Sequence, residues 1–470
     1  MFRHNLYSHD TVPIKIKRGL DIPLQGWATH CLTDLRYEPL YAVKPTDYVA
    51  LQPRLKVAEG DSVRHGDELF CDKHDERIRF TSPVDGVVRS IVRGERRALQ
   101  AVVVERASDA SFTQPRWANL PLRDAMLDCG LWTALRQRPF GIVPSPDDSP
   151  KAIFISCFDS APLAPDFAFV MAGREHLFVE GVRALSSLTE GCVHLSFSSD
   201  KQVSTLLLNA CMAVERVKIH YFQGPHPAGN VGTQIASLDP INKGEKVWTI
   251  PYQEVATLGR LASEGCYCPE RMIAFVGPVA RHPQYYRLYA GASVASMAES
   301  QLANTNYPAL QIQHSARLIS GNVLSGTQID ADGFLGANDA MITAIEEGDQ
   351  YDFMGWLMPG FDKFSFSRTF LSGLHSQVAK LLPLSFNTNL HGGVRPLVFT
   401  GNFERVFPFN IYPMQLIKAA IIGDIELMEK LGIYEVEPED LALCEFIDPS
   451  KTEIQSVIRG ALEQCRKEQL

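Results

Sequence analysis

Between Leu55 and Glu105 the chain carries a tight-turn signal about every eight to ten residues, a spacing that leaves no room for a helix. The string LKVAEGDSVRHGDELF alternates Leu55, Val57 and Val63 with polar residues and breaks at Gly60-Asp61 and Gly66-Asp67. FTSPVDGVVRSIVRG repeats the theme, with a turn at Pro83–Gly86 and an apolar strand through Val87, Val88, Ile91 and Val92, and LQAVVVE closes the block. Short strands with frequent turns predict a small all-β barrel or sandwich.

The two halves of this block resemble the quasi-repeats of biotinyl/lipoyl carrier modules, V-x-x-G-D-x-V-x-x-G-x-x-L and S-P-x-x-G-x-V. A carrier needs a modifiable lysine at the hairpin tip between the repeats. Counting back from Ser82-Pro83 places Asp75 there, and the nearest lysine, Lys73, is off the tip. A carrier-like fold without a swinging arm is expected.

Charge narrows the function classes. With 45 basic and 54 acidic residues the formal net charge is −9, opposite to the basic face that nucleic-acid binding requires. Residues 411–470 hold 12 acidic and 6 basic side chains, whereas residues 1–105 hold 15 and 16; the acidic excess is expected on solvated outer helix faces. No run approaches the ~20 apolar residues of a membrane span, and the N-terminus, MFRHNLYSHD, has no apolar signal core. A cytosolic chain is therefore expected. The ten cysteines contain no C-x-x-C, so neither an exported disulfide framework, a zinc ribbon nor an iron–sulfur cluster is indicated.

From about Asp124 to Tyr252 strands and helices alternate. Lys151–Phe158 reads as a buried strand, His176–Leu188 as a helix, Cys192–Ser198 as a strand, Val203–Val214 as a helix and Val217–Phe222 as a strand. Such alternation predicts a parallel sheet with Rossmann-like connections. The loop GPHPAGNVG (Gly224–Gly232) follows a strand as a phosphate loop does, but it lacks Gly-Lys-Ser/Thr and the G-x-G-x-x-G spacing. His220 and His226 have no third ligand nearby in sequence and are expected to be hydrogen-bonded rather than metal-bound. Farther on, strands flank a helix over Ser293–Leu302, a β-grasp-like pattern in which Gly321 and Gly326 mark strand turns.

At the C-terminus a helix is expected from Pro413 to Leu431-Gly432. A second begins at a Ser450/Glu453 capping box and carries Ile454, Val457, Ile458, Ala461, Leu462 and Cys465 on one face. No G-x-S-x-G, H-E-x-x-H or kinase pattern occurs.

Seven longer strings belong together: IKRGLDIPLQG (Ile16–Gly26), CGLWTALRQRPF (Cys129–Phe140), FQGPHPAG (Phe222–Gly229), LISGNVLSGT (Leu318–Thr327), EEGDQYDFMGWLMPG (Glu346–Gly360), GNFERVFP (Gly401–Pro408) and EDLALCEF (Glu439–Phe446). Together they resemble the A-subunit family of the bacterial sodium-translocating NADH:quinone reductases (Na+-NQR), from about Ile14 to the C-terminus. The resemblance implies a peripheral protein, without a transmembrane helix, on the cytoplasmic face of the bacterial inner membrane. Its complex has six subunits, oxidises NADH, reduces ubiquinone and exports sodium. The membrane-embedded B-subunit is the implied neighbour, no nucleic acid is involved, and FMN, FAD and Fe–S clusters belong to other subunits. No covalently bound cofactor is implied here, ubiquinone enters as substrate, and the isolated chain is not expected to be catalytic.

The architecture expected is α/β multidomain. An N-terminal segment (1–37) leads into a biotinyl/lipoyl-like barrel-sandwich module without a modifiable lysine (38–110). A Rossmann-like α/β domain (111–258), a β-grasp, SLBB-like domain (259–345), a connecting region (346–408) and a helical C-terminal domain (409–470) follow. More distantly the family resembles the NADH-binding flavoprotein of respiratory complex I and the C-subunit of Rnf-type complexes, which bind flavin through a glycine-rich loop. Here Trp132, Thr133, Ala134 and Leu135 stand where consecutive glycines are needed for backbone amides to reach a phosphate.

A quinone headgroup needs an apolar slot, an aromatic face and donors to its carbonyls. Trp132, Arg136, Arg138 and Phe140 in the segment 132–144, and Tyr48 in the segment 44–51, are the candidate residues. The spacing of Leu131, Trp132 and Leu135 also suits a core element, and the arginines equally suit partner carboxylates or lipid phosphates. Two other functions stand beside the leading one: a non-catalytic adaptor shaping the quinone site of the membrane partner, and an electron-transport protein like the Rnf C-subunit.

Overall fold

The computed structural model describes residues 12–107, 112–302, 316–348, 359–360, 363–367 and 384–469. The first eleven residues and most of the EEGDQYDFMGWLMPG string lie outside them.

The turn-rich block forms two small antiparallel sheets. One runs, in spatial order, Leu40–Val43, Leu99–Arg106, Gly86–Arg93, Ser62–Val63; the other runs Pro53–Leu55, Glu68–Asp72, Arg79–Thr81. Their alternating apolar residues meet in a core where Phe70 and Phe80 stack at 4.7 Å with Val84, Val88, Val102 and Val104 around them. At the tip between the repeats Asp75 accepts hydrogen bonds from its neighbour Arg77, and Lys73 is exposed.

The second sheet has the order Ile14–Lys15, Val217–Gln223, Cys192–Ser198, Ala152–Ser156, Val247–Thr249, Arg136–Arg138. All its pairs are parallel except the last. Ala152–Ser156 shows why its strands are apolar without interruption. Ala152 and Phe154 pack with Ile235 on one face, while Ile153 and Ile155 face the main core on the other. The helices Glu175–Ser186 and Tyr252–Glu264 pack against each other at glycines: a Cβ on Gly259 would collide with the Leu177 carbonyl, and one on Gly181 with that of Val255. No larger residue permits so close a crossing.

The third sheet runs Thr327–Ile329, Ala316–Ser320, Met341–Glu346, Glu270–Val276, Gln284–Tyr289, Thr29–Asp34, with a helix at Ala295–Leu302. The N-terminal segment therefore serves two sheets. Ile14 pairs with Phe222 of the second, and Leu32 pairs with Tyr285 of the third.

The C-terminal helices Phe403–Val406, Pro413–Ile422, Ile425–Lys430, Ala442–Ile447 and Ile454–Gln469 enclose a core of their own, including Leu416, Ile417, Met428, Ile458 and Leu462. Two sequence expectations are corrected here. The helix predicted from Pro413 to Leu431 is broken: Gly423 adopts φ +72° and ends the first helix, and the Asp424 side chain then caps the second through the Leu427 amide. The Ser450/Glu453 capping box does not form, because Ser450 Oγ accepts instead from the Val398 amide at 3.2 Å. Among the described residues no helix is long and apolar enough to cross a membrane.

Candidate functional site

The five candidate residues do not converge on one point. Trp132 lies in the short turn Leu131–Ala134 and is fully buried. Its Nε1 donates to the Pro144 carbonyl at 2.9 Å, and its ring meets Trp248 edge to face at 5.4 Å. Phe140 packs against Tyr434 of the C-terminal helices at 5.9 Å. Both are core residues in their contacts.

Arg138 is buried and reaches the C-terminal segment, donating to Asp440 Oδ2 at 3.0 Å and to Glu439 Oε1 at 2.7 Å. A second tie from that segment runs back, Arg459 donating to the Phe140 carbonyl and to Glu437 at 2.8 Å each. Asp440, Glu437 and Asp448 are thus buried, which corrects the expectation that the acidic excess is wholly solvated: the buried Arg138, the half-buried Arg459 and local amides draw part of it inward.

Asp440 also answers the question raised by the Gly224–Gly232 loop. The helix Val231–Leu238 begins at the end of that loop, and a Cβ on Gly232 would strike the Asp440 carboxylate. The place beside a helix N-terminus where a ligand's anion would sit is filled by the protein's own carboxylate. Burial, with Glu439 beside it, outweighs the pull of Arg138 and pushes the Asp440 pKa above the ordinary carboxylate value. The folded state then holds this proton more tightly than the unfolded chain, so stability falls as pH rises from the unfolded pKa to the raised folded one and levels above it. Denaturation of wild type and Asp440→Asn between pH 5 and 7.5 checks this. The wild-type excess over the variant is expected to decline with pH at up to ~1.4 kcal/mol per unit and then flatten.

His220 and His226 are hydrogen-bonded within the fold, to His194 at 3.0 Å and to Ser160 at 3.1 Å. Among the described residues no group of three His, Cys, Asp or Glu side chains is arranged to hold a metal.

Of the five, Tyr48 alone lines a cavity, and Arg136 holds two of that cavity's lining residues, Asp47 and Asn338. A cavity of ≈ 70 Å³ lies where the first block meets the second and third sheets, lined by Lys44, Asp47, Tyr48, Phe80, Thr133, Glu254, Tyr267, Arg271 and Asn338, among others. The Tyr48 hydroxyl faces Thr133 Oγ1 at 3.5 Å, and its ring meets Phe80 at 4.7 Å. Arg136 donates to the Asp47 carbonyl at 3.3 Å. Asn338 turns its amide oxygen to Arg136 at 2.7 Å and its nitrogen to the Ala337 carbonyl. Burial raises the pKa of Tyr48, so its hydroxyl stays a donor at neutral pH. Burial also raises that of Asp47, against the opposing pull of Lys44 and the Ala337 amide. The Glu254–Arg271 pair, 2.6 Å apart, closes one wall.

The site thus offers hydroxyl and amide donors beside aromatic rings, with its cations already paired. Sequence reading missed Lys44, Asp47, Glu254, Arg271 and Asn338 as a group. They lie up to about 290 residues apart, and no local motif joins them.

Comparison with known proteins agrees with this layout. Residues 14–107 match a family model described as the NqrA N-terminal barrel-sandwich hybrid domain, 118–267 the NqrA second alpha/beta domain, and 272–331 a model described as the NQRA C-terminal domain. The A-subunit of the Na(+)-translocating NADH-quinone reductase of Yersinia pseudotuberculosis serotype O:1b (strain IP 31758) is 38% identical over 464 residues, spanning 97% of this chain and 100% of the relative. The chain belongs to the NqrA family.

NqrA proteins of Hahella chejuensis (strain KCTC 2396) and Histophilus somni (strain 2336), carrying the same name, are 37% and 36% identical, each over 97% of this chain and 100% of the relative. The NqrA likeness therefore spans nearly the whole chain, well beyond the three matched models. A solved structure, the NAD+-reducing [NiFe]-hydrogenase in its H2-reduced state, is similar at 12% identity and a TM-score of 0.36 over 73% of this chain and 60% of that one, too distant a likeness to carry any function across.

Proposed function

We propose that this chain is the peripheral NqrA component of a six-subunit sodium-translocating NADH:ubiquinone reductase, held at the cytoplasmic face of the bacterial inner membrane against the membrane-embedded B-subunit. The observation that carries this reading is the likeness, over nearly the whole chain, to relatives named as the A-subunit of the Na(+)-translocating NADH-quinone reductase. NADH oxidation and the FMN, FAD and Fe–S chemistry belong to other subunits in this reading, and the isolated chain does not turn over. Its sheets act as a carrier-like module, a Rossmann-like domain and a β-grasp domain, with a helical C-terminal domain bracing the second.

Within this chain the quinone is assigned to the junction cavity. Tyr48 donates to one quinone carbonyl, Asn338 provides an amide donor on the same wall with Arg136 holding it and the Asp47 carbonyl from behind, and Phe80 gives the ring a face. Trp132, Arg138 and Phe140 form the rigid backing of that region. The cavity is about half the ~150 Å³ that holds a benzene ring, so entry of a quinone ring requires the segment 44–51 to swing outward. Ala50, in the left-handed region at φ +59°, sits within that segment.

Photo-crosslinking of a reactive quinone analogue to the assembled complex, followed by peptide mapping, tests the assignment. Label is expected within 44–51 or 132–144 and is displaced by ubiquinone. Tyr48→Phe is expected to raise the KM for quinone about 5–10-fold, the worth of one hydrogen bond. Label confined to the membrane partner makes this chain an adaptor that shapes a site it does not line.

A further inference from the structure

An apolar groove opens on the C-terminal helices. Its floor is the helix Pro413–Ile422 and the start of the next, presenting Ala419, Ile422 and Leu427; its wall is the segment of Val394 and Leu397, and the groove, shallow and open to solvent, has a volume of ≈ 940 Å³. Ile422 is 72% exposed, Val394 79% and nearby Phe399 61%. Apolar exposure clustered in this way marks an interaction site.

The groove is built firmly. The wall is tied down where the Arg395 amide donates to the Ser450 carbonyl at 3.1 Å and the Val398 amide to Ser450 Oγ at 3.2 Å. Its charge runs against its surroundings. Residues 411–470 carry 12 acidic and 6 basic side chains, yet the groove is lined by the cations Arg395, Lys418 and Lys451 against the single carboxylate of Glu453. Lys418 is held over the Phe399 ring at 5.8 Å, and Lys451 is fixed in the left-handed region at φ +58°, a conformation that disfavours side-chain-bearing residues.

We infer that this groove receives an amphipathic helix of a partner protein whose apolar face is flanked by carboxylates. The floor is itself a helix with its backbone groups bonded internally, so it offers an extended peptide no main-chain partners, whereas a helix brings its own bonds. The floor helix of ten residues is about 15 Å long, enough for roughly three turns of an occupant. Three cations at the lip select acidic flanks.

The test uses the full chain and a designed 20-residue amphipathic helix with leucines at i, i+3, i+4 and i+7. One version has glutamates flanking the apolar face and the other has lysines. The glutamate version is expected to bind at least tenfold more tightly, a preference abolished in Lys418→Glu/Lys451→Glu, and all binding is expected to vanish in Ile422→Glu. Because these side chains are exposed or at the rim, the melting temperature of each variant should match wild type. Equal or absent binding of the two peptides overturns the proposal. So does association with phosphatidylglycerol vesicles without peptide binding, which would make the groove a lipid contact. Self-association of the chain that Ile422→Glu abolishes also overturns it, since the occupant is then a second copy. None of these outcomes depends on where quinone binds or on assembly into a reductase.

Discussion

Arg138→Leu is expected to destabilise the folded chain by ~3–5 kcal/mol in urea denaturation followed by circular dichroism. The guanidinium is buried, and Asp440, fully enclosed, keeps only the Glu437 amide when the arginine is gone. The cost comes from the carboxylate left behind. The double variant Arg138→Leu/Asp440→Leu, which removes both charges, is therefore expected to regain much of the loss, and a double-mutant cycle measures the coupling. If the single and double variants are equally unstable, packing rather than charge holds the C-terminal helices to the second sheet.

Trp132→Ala is the second large effect, ~3–5 kcal/mol, lowering the melting temperature by about 3–5 °C for a chain of this size. The indole has no exposed surface, donates to the Pro144 carbonyl and packs edge-on against Trp248. Its removal leaves a cavity and an unpaired carbonyl. Trp132→Phe keeps most of the volume and should lose markedly less. The pair separates backing from ligand contact: if Trp132→Phe weakens quinone labelling while stability is largely kept, the indole meets quinone directly. If labelling falls only in step with stability, it does not.

Strand and helix periodicity is legible wherever one element buries a regular face. Cys192–Ser198 is a strand with the bounds that its apolar run predicts, and the helix Glu175–Ser186 starts within one residue of expectation. The turn-rich first block likewise follows its glycine spacing. Gly423 is harder to read, since a single glycine in an apolar helical run is usually absorbed. Ser450 misleads because its competing partner, the Val398 amide, lies 52 residues away. Long-range pairing also hides the fate of the acidic tail, for nothing near Asp440 in sequence announces Arg138. The candidate site is half legible: aromatic and arginine content points to Tyr48 and Arg136, but the junction that unites them with Asn338 exists only once the sheets have packed.

The N-terminal segment's double service has a consequence for synthesis. Thr29–Asp34 leaves the ribosome before its partner strand Gln284–Tyr289, which follows about 250 residues later, roughly 10–50 s at ordinary elongation rates. Ile14–Lys15 likewise waits for Val217–Gln223. Throughout that interval the nascent chain carries a strand with an unpaired edge, the form most open to pairing with a neighbour. Chaperone dependence should therefore be concentrated in polysomes that have translated the first sheet but not yet residue 289.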